Sequence, residues 1–158
     1  MVEIKEITGL PDYSEIIELI NAEWPREFGG KTDDEKIGEM VRSHQVQTDT
    51  VKYLIEEQKI IGFYRYTLWP RKNPDSDKAH TMDIAVIPAR QNQGLGIMLM
   101  TDLIKDCREK DFNQLLSRSM RNNPGSIRLH QSLDFTVYLE TEDSIVWEIN
   151  PQFMSLPN

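Results

Sequence analysis

The period of the apolar positions changes several times along the chain, and each change marks an element. Val2, Ile4 and Ile7 stand among charged neighbours and predict a first strand, ended by Gly9. Pro11 then starts a helix in which Tyr13, Ile16, Ile17, Ile20 and Trp24 recur at helical spacing, and Trp24-Pro25 closes it. Thr32-Asp33-Asp34-Glu35 reads as a capping box, the Thr hydroxyl and the Glu carboxylate each satisfying a free backbone N–H. Ile37, Met40, Val41 and His44 mark the helical face that follows. From Val51 to Trp69 the pattern is that of strands, VKYLIEE and IIGFYRYTLW, rich in β-branched and aromatic residues and joined by a turn at Gln58-Lys59. Asn73-Pro74-Asp75-Ser76-Asp77 is a loop by composition, and AHTMDIAVI is the third strand of the meander. A helix from Gly94 to about Lys110, a strand QLLSRSM, a short helix PGSIRLHQSL and a last hairpin, FTVYLE and SIVWEIN turned at Glu142-Asp143, complete the chain.

The order β, α, α, β, β, β, α, β, α, β, β predicts an α/β fold: a mixed, mostly antiparallel central sheet of about seven strands with about four helices on both faces. It does not fit a doubly wound Rossmann sheet. With 158 residues, 39% hydrophobic and 28% charged, one domain over residues 1–150 is expected, followed by a loose tail at 151–158.

Charge narrows the function classes. A formal net charge of -8 lacks the basic footprint that nucleic acid or an anionic membrane surface requires, and suits a cationic small substrate. The lone Cys107 cannot form an intrachain disulfide and falls in a helical pattern, so it reads as a small core residue in a reducing compartment. No apolar run approaches the roughly 18 residues of a membrane helix, and MVEIKEITGL lacks the continuous apolar stretch of a signal peptide. A soluble, cytoplasmic protein is expected, with no metal, and a homodimer is compatible with these readings.

The sharpest chemical signal is RQNQGLGIMLM, Arg90 to Met100. Two glycines stand at the first turn of a helix, where each is unfavourable by roughly 1 kcal/mol against Ala. A strand feeding a glycine-bearing helix start makes an anion site, because unpaired N–H groups point out of the first turn and the helix dipole adds partial positive charge. The Walker loop needs Gly-Lys-Ser/Thr and the dinucleotide fingerprint needs a third Gly where Leu99 stands, so neither motif is present.

IAVIPARQNQGLGIML resembles motif A of the GNAT N-acetyltransferase superfamily: a hydrophobic strand ending Val-x-Pro, then Gln/Arg-x-x-Gly-x-Gly/Ala, matched by Gln91-Asn92-Gln93-Gly94-Leu95-Gly96. The resemblance extends over roughly residues 1 to 149. It implies acetyl-CoA as co-substrate, its pyrophosphate wrapped by the backbone of Gln91 to Ile97 and its pantetheine arm paired with the strand at Ile84, Ala85 and Val86. The turn has no Lys, so affinity would rest on backbone N–H groups, with Arg118, Arg121 and Arg128 as candidates for charge near the 3′-phosphate. Asn123-Pro124-Gly125-Ser126 through Phe135 is similar to the family's motif B. Asn123 matches and would bond the pantetheine region; Ser126 stands for Ala, His130 for the Tyr that protonates the departing thiolate, and Asp134 for Gly. Asp134 suggests a positive φ. An imidazolium of pKa about 6.5 donates a proton at least as readily as a phenol of about 10, so His130 is the expected acid.

The acceptor amine must lose a proton to attack the thioester. Counted back from the glycine turn, His80 falls where the histone branch of the family carries its Glu base and the arylalkylamine branch a His. His80 is the first candidate and Asp83 the second. Strand alternation puts His80, Met82 and Ile84 on one face and Asp83 on the other, unless a bulge reverses the parity. The resemblance also implies direct acyl transfer, a backbone N–H near Val86 facing the oxyanion, and an acceptor pocket drawing on Trp24, Phe28, Tyr64, Tyr66 and Trp69, with Glu23 and Glu27 as ammonium partners. An N-acetyltransferase acting on a small amine or a peptide amine is the leading expectation. The alternative is a catalytically weak acyl-CoA-binding sensor or interaction module, motivated by His130 and Asp134.

Overall fold

A computed structural model of the chain describes residues 1–6, 27–28, 31–32, 42, 49–71 and 73–154. Its centre is a seven-stranded sheet in the order β1-β4-β5-β6-β7-β9-β8. The strands are β1 (Val2–Lys5), β4 (Asp49–Glu56), β5 (Lys59–Leu68), β6 (Lys78–Val86), β7 (Gln114–Met120), β8 (Thr136–Glu140) and β9 (Ser144–Ile149). A separate two-stranded ribbon joins β2 (Glu27–Phe28) to β3 (Lys31–Thr32). Every pairing in the large sheet is antiparallel except β6 with β7. Two α-helices are complete among the described residues, α1 (Leu95–Glu109) and α2 (Pro124–Ser132). Except for the helical Arg42, the other two expected helices, over 11–24 and 33–44, lie outside the described residues, as do Trp24, Glu23 and His44.

Both described helices lie on one face of the sheet. Leu99, Met100, Leu103, Ile104 and Cys107 of α1 enter one buried cluster with Leu54, Tyr64, Tyr66, Leu115 and Trp147 of the strands. Burying each such side chain contributes on the order of 1.5–3 kcal/mol. The tyrosine hydroxyls and the acidic groups they meet in this layer are paired. The Tyr64 hydroxyl donates to Asp102 at 2.8 Å, and the Tyr66 hydroxyl donates to Asp106. Lys52 and Lys110 approach Asp106 at 3.2 and 3.0 Å. Burial pushes the Asp106 carboxyl up, but the Tyr66 hydroxyl and the two ammonium groups outweigh it and hold the carboxyl below its usual range. The opposite face carries Val51, Tyr53, Phe63 and Ala85, also buried.

Three local expectations are corrected. The β4–β5 turn is Glu57-Gln58 rather than Gln58-Lys59: Glu56 pairs with Lys59 and both turn residues have positive φ, as a two-residue hairpin requires. In β6 the register steps from Arg65 opposite Asp83 to Tyr66 opposite Thr81, so Met82 is the extra residue of a bulge. The bulge puts His80 on the same face as Asp83, and Ile84 on the other. Finally, residues 151–154 are not loose: Pro151 is buried, and Arg108 of α1 donates to the carbonyls of Pro151, at 2.7 Å, and Met154.

One feature of the sheet makes the site. β6 and β7 are paired only from Lys78–Gln114 to His80–Leu116. Beyond that vertex the two strands part, leaving the β7-facing backbone edge of β6 without a strand partner.

Candidate functional site

A cleft of about 390 Å³ fills the opening between the parted strands. Ile84, Ala85 and Val86 form its β6 wall, Gln91, Asn92 and Gly96 its head, and Asn123, Ser126 and Leu129 its α2 wall. A second cleft of about 300 Å³ continues past Gly94, Gly96 and Ile97 to Arg128. Of the residues that the sequence placed at a coenzyme site, 84–86, 91, 92, 94, 96, 97 and 123 line these two adjoining clefts and Arg128 borders the outer one, whereas Gln93 is turned to Arg90 and Leu95 packs against the core. Arg121 does not join them, because its side chain is held by the Thr141 carbonyl at 2.9 Å and Glu140. Arg118 is exposed on β7.

The head of the cleft is bare backbone. Gly94 caps α1 in the left-handed region at φ 82°, with no side chain bonded to the free N–H groups of the first turn. A Cβ built on Gly94 would meet nothing within 4 Å, and one on Gly96 would only touch Leu129 at 3.9 Å. At Gly94 the left-handed backbone itself favours glycine, whereas at Gly96 no protein atom stands where a side chain would go except Leu129 at ordinary contact distance. The side chains around the turn are tied down: Gln91 donates to the Val86 carbonyl at 3.0 Å, Arg90 donates to Gln93 at 2.9 Å and pairs with Glu56. Arg90 therefore buttresses the turn from behind. The uncapped N–H groups at this head present partial positive charge, which suits a diphosphate.

On the α2 wall, Asn123 caps the helix by accepting from the Ser126 N–H at 3.1 Å. His130 does not reach the cleft. It is fully buried, stacked on Trp147 at 5.6 Å and edge-on to Phe135. Its Nδ1 donates to the Ser126 carbonyl at 2.7 Å, and its Nε2 accepts from the Ser117 hydroxyl at 2.7 Å. Burial lowers its pKa, the Ser126 bond opposing only in part. A neutral, sealed imidazole with both nitrogens engaged is not placed to protonate a leaving group, which corrects the expectation of an acid at His130. Asp134 has φ 63°, the positive angle expected where the family has Gly.

His80 stands at the vertex where β6 and β7 part, half-buried on the face away from α1. Its Nδ1 lies 2.7 Å from the Thr81 carbonyl oxygen, which only accepts, so Nδ1 carries the proton and Nε2 keeps its lone pair. Burial, first, and Arg118 lower its pKa, against the Thr81 bond. Trp69, well exposed, packs against the ring with centroids 5.5 Å apart. Asp83 is held by Arg65, through Nε at 3.0 Å and a terminal nitrogen at 2.8 Å. Tyr64 and Tyr66, expected at the acceptor site, lie buried under α1 with their hydroxyls bonded to Asp102 and Asp106, and line neither of these two clefts. Phe28 and Glu27 fall in β2, described in backbone only. Sequence reasoning missed Ser117, Ser119 and Trp147 behind α2; alternating serines in the inward-facing positions of QLLSRSM were the available signal. Among the described residues no group of three or more His, Cys, Asp or Glu is arranged to hold a metal ion, and no helix is long and apolar enough to cross a membrane.

The profile of the acetyltransferase (GNAT) family matches residues 13–135. The chain belongs to that family. Solved structures agree on the fold. The ribosomal-protein-S18-alanine N-acetyltransferase of Escherichia coli shares 22% identity at TM-score 0.67, covering 98% of this chain and 97% of that one. PaiA N-acetyltransferase of Thermoplasma acidophilum, in complex with coenzyme A, shares 15% at TM-score 0.71, covering 95% and 99%. The yncA protein of Salmonella typhimurium, with acetyl-CoA, shares 20% at TM-score 0.71, covering 100% and 98%. At such identities the likeness speaks for this GNAT chain's fold alone. No curated protein matches it by sequence.

Proposed function

We propose that the protein transfers an acetyl group from acetyl-CoA to a primary amine by direct attack of the amine on the thioester. The observation that carries this reading is the bare glycine head of α1, open at the mouth of the split between β6 and β7. Two fold relatives bear CoA or acetyl-CoA, and the residues here fit that ligand: side-chain-free N–H groups for the diphosphate, Arg128 near the outer end, and an unpaired strand edge for the arm. Acetyl-CoA supplies the activated acyl group and a leaving thiol of pKa about 8.5, which departs readily without a strong acid.

His80 is the base. Its Nδ1–H is anchored on Thr81, leaving Nε2 to take the ammonium proton, and a lowered pKa keeps the ring neutral at physiological pH. Asp83 is the weaker candidate, since Arg65 already holds it. Trp69 packs beside His80 and forms one side of the acceptor approach, from the face opposite α1. The free N–H groups on the β6 edge face the carbonyl oxygen as charge develops on it. The acceptor is a small amine or a peptide amine, in keeping with relatives named for a ribosomal-protein alanine and for spermidine.

Thiol release from acetyl-CoA against a broad amine panel tests the reading. Turnover with at least one amine is expected. Tight CoA binding with no thiol released from any acceptor would favour the sensor reading. A melting temperature indifferent to CoA would remove the coenzyme altogether, since ligand at 100 times its Kd adds about 2.7 kcal/mol.

A further inference from the structure

We propose that the Ser126 hydroxyl is a directed hydrogen-bond donor to an amide carbonyl on the pantetheine arm of the coenzyme, an inference that rests on the acetyl-CoA reading above. The direction of its proton follows from a hydroxyl chain behind it whose ends have fixed polarity. An indole N–H only donates, so Ser119 Oγ accepts from Trp147 Nε1 at 3.0 Å. A backbone carbonyl only accepts, so His130 Nδ1, 2.7 Å from the Ser126 carbonyl oxygen, carries the ring proton. It therefore offers no lone pair to Ser119 Oγ, 3.1 Å away. The Ser119 proton is left with one acceptor, Ser126 Oγ at 2.8 Å. Ser126 Oγ receives that proton and aims its own elsewhere. Ser119 is 1% exposed behind it, whereas Ser126 borders the cleft across from Ile84 and Ala85, so the Ser126 proton points into the cleft.

Asn123 has the same polarity. Its Oδ1 is committed to the Ser126 N–H, which leaves its Nδ2 as a donor. The polar side chains of the α2 wall thus offer donors to the cleft, and a ligand placed there must bring acceptor oxygens. Position says which part of the ligand: Ser126 lies between the glycine head, which suits the diphosphate, and the vertex at His80, where the reacting end must come. The acceptors carried by the intervening arm are amide carbonyls. A Ser where the family pattern has Ala adds one donor to this wall, and the buried Trp147 and His130 fix its direction.

The test is calorimetric titration of the full chain with CoA and with adenosine 3′,5′-bisphosphate, which lacks the arm. Ser126→Ala is expected to weaken CoA about three- to tenfold, the range for one neutral hydrogen bond, and to leave the bisphosphate unchanged. Ser126→Thr, which keeps the hydroxyl, is expected to recover most of the CoA affinity. Equal CoA affinity in wild type and Ser126→Ala overturns the donor, and so does equal weakening of both ligands, which would mark a structural effect. Wild-type protein that binds neither ligand would instead bring down the coenzyme reading on which the inference stands.

Discussion

The two walls of the cleft dispose of their polar groups in opposite ways. On the β6 side they face outward: among the described residues Gly94 and Gly96 leave backbone N–H groups uncovered, and His80 bonds through Nδ1 alone. On the α2 side the groups behind the wall turn inward: His130 engages the Ser126 carbonyl and Ser117, and Ser119 accepts from Trp147, so that of these polar side chains only Ser126 and Asn123 are left to border the cleft. Two histidines of the same chain, each at a position where family resemblance suggests proton transfer, thus have different work. A buried polar group must be bonded to be tolerated, and a bonded one has no lone pair or proton to lend. His130 is sealed with both ring nitrogens bonded, whereas His80, half-buried and bonded through Nδ1, is the one proposed to act on a substrate.

Exchanging the histidines' roles is the strongest way to break this contrast. His80→Ala is expected to lower kcat by about 10²- to 10⁴-fold, the usual contribution of a general base, with CoA affinity unchanged by calorimetry. In wild type the rate should rise with pH as His80 loses its proton, below its ordinary 6.5, because burial lowers its pKa and the base works deprotonated; a pH profile unaltered in His80→Ala would remove the role. His130→Ala is expected to act on the other quantity. It leaves a void beside Trp147 and strips partners from Ser117 and the Ser126 carbonyl, a loss of about 2–4 kcal/mol in urea unfolding. Turnover per folded molecule should stay within about threefold, an effect under 1 kcal/mol on the barrier. Lost turnover at unchanged stability would reverse the assignment.

What the sequence disclosed of these walls was what is written locally. The strand before the turn, the glycines and the positive φ at Asp134 each depend on a few neighbouring residues, and all are legible in IAVIPARQNQGLGIML and SLDF. The fate of His130 depends on Ser117, Ser119 and Trp147, which reach it only through the β7–β9 pairing. The face of His80 depends on one extra residue, Met82, and a bulge is a property of two strands' register. Arg65 finds Asp83 by that same register. The Glu57-Gln58 turn escaped notice for a different reason: positive φ is usually announced by Gly or Asn, and neither is there.

The β6 side can be sharpened at its head. Gly96→Ala puts a methyl group into space that the protein leaves open and replaces a helix-breaking residue near the start of α1. Stability is expected to rise by up to about 1 kcal/mol, while CoA binding weakens about tenfold as the methyl blocks the approach to the N–H groups. Opposite signs in melting temperature and affinity are the mark of a glycine kept for a ligand. Unchanged CoA affinity would mean that the diphosphate lies elsewhere.

The smallest expected effect concerns protons and the inward-facing wall. His130 has a lowered pKa in the folded chain, so below its unfolded value of about 6.5 the unfolded state binds a proton that the native state refuses. Stability therefore rises with pH through the window beneath 6.5 and levels off above it, at no more than about 1.4 kcal/mol per pH unit for this histidine. Asp106 works in a separate window: its carboxyl is held below 3.8, so its contribution is present above that value and is lost only in stronger acid. Urea midpoints at pH 7.5, 6.0, 5.0 and 3.0 separate the two, and His130→Gln should reduce the slope between 6.0 and 5.0, to which the burial-lowered His80 also contributes, while leaving the acid limb in place. An undiminished slope in that variant would mean that another group carries the transition and that His130 accepts its proton in the native state, which its contact with the Ser126 carbonyl and Ser117 argues against.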